Sequence, residues 1–202
     1  MVLSYRIKTP VKLVNMKFLQ SYLLLFPLAA ILFMTACNDD DPVIPNDEEL
    51  ITTLTYTLSP TGGGADVVLR FSDLDGDGGN PPVITGGTLA NNTSYTGALI
   101  LLNESESPAD DITAEIKAED EDHQFFFAVT GTNLTIEYAD QDANGNPIGL
   151  STDVSTGDAA VGTLTITLRH EPDKSANGVA DGNIDNAGGE TDIEVTFPVE
   201  VQ

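Results

Sequence analysis

Apolar and polar residues alternate with a period of two along most of the chain after residue 50. Val, Ile, Leu and Phe fill one set of alternate positions, and Thr and acidic residues fill much of the other set. This alternation is typical of β-strands that have one face in a core and the other in water. It predicts seven strands, centred on residues 54–58, 67–71, 99–102, 125–129, 134–138, 164–168 and 193–201.

One segment departs from this pattern. Residues 110–122 are rich in Ala, Glu and Lys, and Ile112 and Ile116 lie one helical turn apart. The segment predicts a short helix of about three turns. Together with the strands and the Gly, Asn, Asp and Pro turns between them, it predicts an all-β domain. We expect an antiparallel β-sandwich or flattened barrel of seven or eight strands with one short helix.

The acidic loop that follows the second predicted strand has a counterpart about 65 residues later in the chain. Each loop leads to an Asn-Pro step, and Gly97 and Gly162 each open a strand fifteen residues after a proline. This matched spacing predicts an internal duplication with copies at residues 67–129 and 134–199. The alternative is a chance likeness between two turn-rich β-segments.

The first 37 residues follow the layout of an export signal. Lys8, Lys12 and Lys17 precede an apolar stretch, and small residues then lead to Cys37, the sole cysteine of the chain. The apolar run of residues 22–33 is shorter than the roughly 20 residues that a membrane-spanning helix needs. The natural start is either Met1 or Met16, because a complete basic and apolar signal also follows Met16.

The segment Met34-Thr35-Ala36-Cys37 resembles the lipobox of bacterial lipoproteins. This resemblance implies that residues 1–36 are a cleaved signal peptide and that Cys37 carries a diacylglycerol and an N-acyl lipid. Residues 37–49 would then be an acidic tether, and residues 50–202 a single β domain. The resemblance also implies a location in the cell envelope, as an outer-membrane lipoprotein that is surface-exposed or faces the periplasm.

The chain also resembles small cell-envelope lipoproteins of the bacteroidete, flavobacterial type. The resemblance lies in residues 37–41, Cys-Asn-Asp-Asp-Asp, and in residues 170–175 and 188–195 near the C-terminus. Proteins of this kind are sometimes labelled as members of the type 1 periplasmic binding fold superfamily, which implies alternating strands and helices. The period-two pattern of this chain predicts an all-β domain instead.

The charge of the chain narrows the choice of partners. All 32 acidic residues follow Cys37, whereas only four basic residues do, so the chain from Cys37 onward has a net charge of −28. Such a surface repels nucleic-acid phosphates and anionic lipid head groups and attracts cations. We therefore expect no nucleic-acid partner, and we expect membrane attachment through the lipid alone.

Two acidic loops have spacings that suit calcium. Asp73, Asp75 and Asp77, followed by Gly78, match the first half of a D-x-D-x-D-G calcium loop. A weaker second match consists of the side chains of Asp140, Asp142 and Asn144. The bidentate Glu of an EF-hand is missing from the first loop, where Ile84 stands at its position. The alternative is that both loops are acidic turns that bind no ion.

The two histidines offer a second kind of metal chemistry. His123 and His170 each fall at the end of a predicted strand, and with Glu171 they could ligate zinc or copper. The alternative is that each ring is solvated or caps a strand. No G-x-S-x-G motif is present, and the one thiol belongs to the lipidation site, so nothing favours nucleophilic catalysis.

These patterns predict a non-enzymatic, lipid-anchored cell-envelope protein with a binding or structural β-sandwich that calcium stabilises. The alternative function is an accessory lipoprotein of surface nutrient or metal uptake, with the histidines as ligands. Metal content distinguishes the two functions, because calcium favours the first and zinc or copper favours the second.

Overall fold

The computed structural model describes residues 50–76 and 79–202, which form ten strands, one α-helix and one short 3-10 helix. The helix α1 spans Ile112–Ala118 and the 3-10 helix spans Ile184–Asn186. The strands are β1 (Thr53–Pro60), β2 (Val67–Ser72), β3 (Val83–Thr85), β4 (Gly87–Leu89), β5 (Ser94–Leu102), β6 (His123–Thr130), β7 (Leu134–Tyr138), β8 (Ser151–Thr156), β9 (Ala160–His170) and β10 (Glu190–Val201).

The strands form two sheets. The six-stranded sheet has the order β3-β2-β1-β5-β8-β7, and the four-stranded sheet has the order β4-β10-β9-β6. Every named pairing is antiparallel except that of β10 with β4, which is parallel. The prediction of an all-β sandwich is confirmed, and the two sheets do not close into the alternative flattened barrel.

The predicted number of seven or eight strands was too low. The additional strands are β3, β4 and β8. The strands β3 and β4 have only three residues each, too few to show alternation. The strand β8 has the sequence Ser-Thr-Asp-Val-Ser-Thr, and its inward positions are Thr152, Val154 and Thr156. A face with one apolar residue in three gives no hydrophobic pattern.

The core lies between the inner faces of the two sheets. Tyr56 of β1 and Phe127 of β6 meet across this space, with ring centroids 5.9 Å apart. Burial follows the alternation that the sequence shows, as in β10, where Ile193, Val195, Phe197, Val199 and Val201 all point inward. Complete burial of a Leu or Phe side chain contributes about 1.5–3 kcal/mol to the free energy of unfolding.

The helix α1 covers the end of β5. Asp111 is its N-cap and accepts a hydrogen bond from the backbone N–H of Ala114, and Ile112 and Ile116 are its buried residues. The predicted helix over residues 110–122 was too long at its C-terminal end. Residues 119–122 are all acidic, and negative charge is unfavourable at the C-terminal end of a helix dipole.

The two copies of the predicted duplication take different places in the sandwich. The strands β2, β5 and β6 belong to the first copy, and β7, β9 and β10 belong to the second. The middle strand of the first copy lies in the six-stranded sheet, whereas that of the second lies in the four-stranded sheet. The strands of the two copies therefore do not occupy equivalent positions in the sandwich. The duplication stays a prediction from sequence spacing.

The predicted signal peptide (residues 1–36) and the predicted acidic tether (residues 37–49), which includes Cys37, lie outside the described residues. Within the described part of the chain, no helix combines the length and the apolar character that crossing a bilayer requires.

Candidate metal centre

Both histidines of the chain lie side by side at one end of the four-stranded sheet. His123 is the first residue of β6 and His170 is the last residue of β9, and the antiparallel register pairs them directly. Their ring centroids are 4.6 Å apart, with an angle of 59° between the ring planes. Both residues share the inward parity of the core positions on their strands, so the pair lies on the inner face of the sheet.

A β-bulge in β10 brings a carboxylate to this pair. Thr191 pairs with Arg169 and Ile193 pairs with Leu168, so Asp192 is an extra residue between two register positions. Strict alternation would direct Asp192 away from the side that Ile193 faces. A bulge re-aims the side chain of its extra residue, and the Asp192 side chain is only 1% exposed beside the two imidazoles.

The three side chains form a compact group of nitrogen and oxygen donors. His123 Nε2 lies 3.9 Å from Asp192 Oδ2, and His170 Nδ1 lies 3.9 Å from Asp192 Oδ1. One donor atom from each of the three residues falls within 4.8 Å of the others. These distances exceed the 2.7–3.2 Å of a direct hydrogen bond.

The orientation of the His123 ring is fixed by the backbone. Its Nδ1 lies 3.0 Å from the carbonyl oxygen of Glu119. A carbonyl only accepts, so Nδ1 carries the proton in this contact. The other nitrogen, Nε2, is buried and has no hydrogen-bond partner among the described residues. A buried polar atom without a partner costs about 1–3 kcal/mol of folding free energy.

Two imidazoles and a carboxylate support either of two kinds of chemistry. They can ligate a divalent transition metal, for which imidazole is a preferred donor, or they can form a buried ion-pair network around one proton. Glu171, the third ligand predicted from sequence, is exposed and has a left-handed φ of 49°. The structure thus brings together the two predicted histidines and adds Asp192, which lies in β10 although its acidic, Gly-rich surroundings predict a plain loop over residues 181–192.

The first predicted calcium loop is only partly described, because Asp77 lies outside the described residues. The carboxylate of Asp75 accepts hydrogen bonds from the backbone N–H of Asn80, at 2.9 Å, and from its side-chain amide, at 2.8 Å. These bonds hold the pKa of Asp75 below its ordinary value. Calcium binding by Asp73, Asp75 and Asp77 stays a prediction.

The carboxylates of the second predicted calcium loop have protein partners on all four oxygens. Asp140 accepts from the backbone N–H groups of Gly149 and Ser151, at 2.7 and 2.9 Å. Asp142 Oδ1 accepts from two backbone N–H groups within its own loop, and Asp142 Oδ2 accepts from Lys174 Nζ at 3.0 Å. The cation beside Asp142 is therefore an ammonium group. Asn144 is exposed and contributes its backbone N–H to Asp142.

The buried Lys174 ammonium also changes the titration of its partner. Burial alone would raise the pKa of Asp142, but hydrogen bonds from the loop backbone and the nearby Lys174 charge outweigh it, so the pKa is lowered. These contacts identify Asp140 and Asp142 as residues that shape the loop. Calcium binding at this loop stays a prediction.

Comparison of the chain with protein-family models, curated protein sequences and solved structures finds no match in any of the three. Functional inference for this chain therefore rests on its own residues and geometry.

Proposed function

We propose that the chain is a non-enzymatic, lipid-anchored binding protein of the cell envelope. The observation that carries this proposal is the placement of Cys37 directly after Met34-Thr35-Ala36 and a basic, then apolar leader. The resemblance of residues 37–41, 170–175 and 188–195 to small bacteroidete envelope lipoproteins also supports the proposal. In this proposal Cys37 is the first residue of the mature protein and carries the diacylglycerol and the N-acyl chain.

The lipid supplies the membrane affinity that the protein surface lacks. A net charge of −28 after Cys37 opposes binding to anionic head groups. One acyl chain gives only marginal attachment, so more than one chain is needed for a stable anchor. Fifteen residues separate Cys37 from β1 in the sequence.

The binding chemistry in this proposal belongs to the sandwich. The group of His123, His170 and Asp192 offers ligand atoms, and its donors are of the kind that hold a metal ion. This group favours the second candidate function, an accessory role in surface metal uptake. The first candidate function, a binding or structural protein stabilised by calcium, depends instead on the acidic loop of Asp73, Asp75 and Asp77. The geometric support for that loop is weaker than for the histidine group.

The anchor is tested by the change Cys37→Ser in the full chain, expressed in a bacterium that processes lipoproteins. Because Cys37 is the only cysteine, labelling with a palmitate analogue reports on this site alone. We expect labelled, membrane-bound parent protein and an unlabelled variant that leaves the membrane fraction or retains its leader. A variant that still partitions with membranes and matures to the parental size would refute the anchor.

A further inference from the structure

We infer that His123, His170 and Asp192 form a binding site for one divalent transition-metal ion of the zinc type. This site names the ligand of the binding protein proposed above and rests on that proposal for its biological role. The site itself rests on the geometry of the sandwich, and a soluble form of the protein would retain it.

The tautomer of His123 prepares the ring for a metal. Because the Glu119 carbonyl accepts from Nδ1 at 3.0 Å, the neutral ring presents the lone pair of Nε2 toward the other two residues. Metal-ligating histidines commonly donate their second nitrogen to a backbone carbonyl, which fixes the ring and raises its basicity. The Nε2 atom is fully buried and finds no hydrogen bond within the described residues. A metal ion between the three residues would give this lone pair its partner.

The donor spacing is close to that of a zinc site. Tetrahedral Zn²⁺ with bonds of 2.0–2.2 Å places its ligand atoms about 3.3–3.6 Å apart. Each imidazole nitrogen lies 3.9 Å from a different Asp192 oxygen, and one donor atom from each of the three residues falls within 4.8 Å of the others. Since the His123 ring is held by Glu119, binding of the ion would draw the Asp192 carboxylate and the His170 ring toward His123 Nε2.

The site is enclosed by protein and opens on one side. The side chains of His123 and Asp192 are 0% and 1% exposed, whereas that of His170 is 12% exposed. An ion therefore enters past His170. Three protein ligands leave the fourth tetrahedral position for water or for a ligand from another molecule, an arrangement that permits exchange of the ion.

The donor set selects the class of metal. Two imidazoles and one carboxylate suit Zn²⁺, Cu²⁺ or Ni²⁺, whereas Ca²⁺ prefers six to eight oxygen ligands. The surplus of negative charge on the surface raises the local concentration of every divalent cation, but only the imidazole pair distinguishes these metals from Ca²⁺.

The experiment measures zinc binding by the full chain, purified in detergent, stripped with a chelator and desalted. Titration with ZnCl₂ is followed by calorimetry, with CaCl₂ as the comparison. We expect one high-affinity equivalent of Zn²⁺ and no calcium binding at this site. CoCl₂ should give the intense visible bands of a four-coordinate Co²⁺ ion with nitrogen ligands.

Two variants remove one ligand each. His170→Ala deletes the most exposed ligand, and Asp192→Asn keeps the shape of the side chain while removing its charge. We expect each change to raise the Kd for Zn²⁺ about 100-fold or more, because even the loss of an outer-shell partner costs 10–100-fold. Asp122→Asn is the matched control, since it removes an exposed acidic charge next to His123 in sequence and should change the Kd less than about twofold.

Three results would overturn the site. They are no zinc binding by the parent chain, an equal Kd in the parent and both ligand variants, or an equal loss of affinity in Asp122→Asn. The first result leaves the buried ion-pair network as the role of the three residues, and the other two point to general attraction by the acidic surface. The Co²⁺ spectrum of the parent decides the question even where His170→Ala fails to fold. Cys37→Ser should bind zinc as the parent does, so failure of the anchor and failure of the metal site are distinguishable.

Discussion

At the scale of single residues, the buried pair of Lys174 and Asp142 joins two long connections of the sandwich. The ammonium lies 3.0 Å from Asp142 Oδ2 and also donates to the backbone carbonyl of Asp120. The two side chains are only 5% and 1% exposed. Only four basic residues follow Cys37, and Lys174 is one of them. Its burial against Asp142 therefore indicates that this ion pair is important for the structure.

The change Lys174→Met tests this contact. It leaves the Asp142 carboxylate buried without its counter-charge, and breaking a buried pair in this way costs about 3–5 kcal/mol. For a domain of this size the expected fall in Tm is roughly 6–20 °C. Lys117→Met, at an exposed position on α1, is the control and should shift stability by less than about 0.5 kcal/mol. Equal effects of the two changes would contradict a structural role for the pair.

Tyr56 is expected to make the stability of the protein depend on pH in alkaline solution. Burial raises the pKa of Tyr56 to about 12, although the hydrogen bond with Thr152, at 2.6 Å, opposes the shift. The unfolded chain loses the Tyr56 proton near pH 10, before the folded chain does. The protonated Tyr56 hydroxyl therefore contributes its full share to the free energy of unfolding below pH 10. This share, about 2–3 kcal/mol, is lost as the pH rises from 10 to 12.

Urea unfolding of the parent and of Tyr56→Phe at pH 8 and pH 11 measures this effect. At pH 8 the variant should be less stable by about 1 kcal/mol, because Thr152 loses its hydroxyl partner. From pH 8 to pH 11 the variant should lose less stability than the parent. Tyr138, whose pKa is also raised by burial, remains in both proteins. Parallel losses would show that Tyr56 does not contribute to the alkaline transition.

At the scale of elements, close packing of three strands depends on Gly97 in β5. A Cβ atom at this position would collide with the Tyr56 hydroxyl on β1 and with Thr152 Oγ1 on β8. The small residue thus allows the buried Tyr56–Thr152 hydrogen bond to lie against β5. Gly97→Ala should destabilise the protein by about 1–3 kcal/mol through overpacking.

Gly62→Ala is the matched control, because no atom lies within 4 Å of a Cβ placed there. Thermal unfolding should show a lower Tm for Gly97→Ala and a Tm within about 2 °C of the parent for Gly62→Ala. Equal Tm values for the two variants would mean that β5 can shift away from β1 and β8 without cost.

The elements also show how far the sequence predicts this fold. All seven strands with alternating apolar residues were found, because burial of one face imposes the period-two pattern. The strand β8 was missed because Thr residues occupy two of its three inward positions. The helix ended early because an acidic run opposes its dipole. Each difference arises where a local or tertiary effect replaces simple hydrophobic alternation.

The sequence predicted two of the three residues of the candidate metal centre, because the third residue depends on an irregularity of a strand. The strand-end positions of His123 and His170 were visible in the sequence, but their direct pairing depends on the register of β6 and β9. Asp192 was not predictable, because only the bulge between Thr191 and Ile193 turns its side chain inward. Asp192 ends an acidic run rich in Gly and Asn, residues 181–192, whose composition predicts a plain loop, whereas the structure begins β10 at Glu190.

At the scale of the whole molecule, a strongly acidic sandwich holds a small group of nitrogen and oxygen donors at one end of its four-stranded sheet. The surface charge attracts cations in general, while the imidazole pair and Asp192 provide a place for one of them. With Cys37 as the anchor, the protein would hold a transition-metal ion close to a membrane. The position of that ion therefore distinguishes a specific metal site from general attraction of cations by the acidic surface.

Anomalous X-ray diffraction from crystals of the Zn²⁺-loaded protein, recorded at the zinc absorption edge, locates the ion directly. We expect one strong peak about 2.0–2.1 Å from a ring nitrogen of His123 and of His170 and about 2.0–2.2 Å from a carboxylate oxygen of Asp192. The absence of a peak between these residues, with zinc found only at acidic loops such as Asp73–Asp75, would contradict a metal site formed by His123, His170 and Asp192.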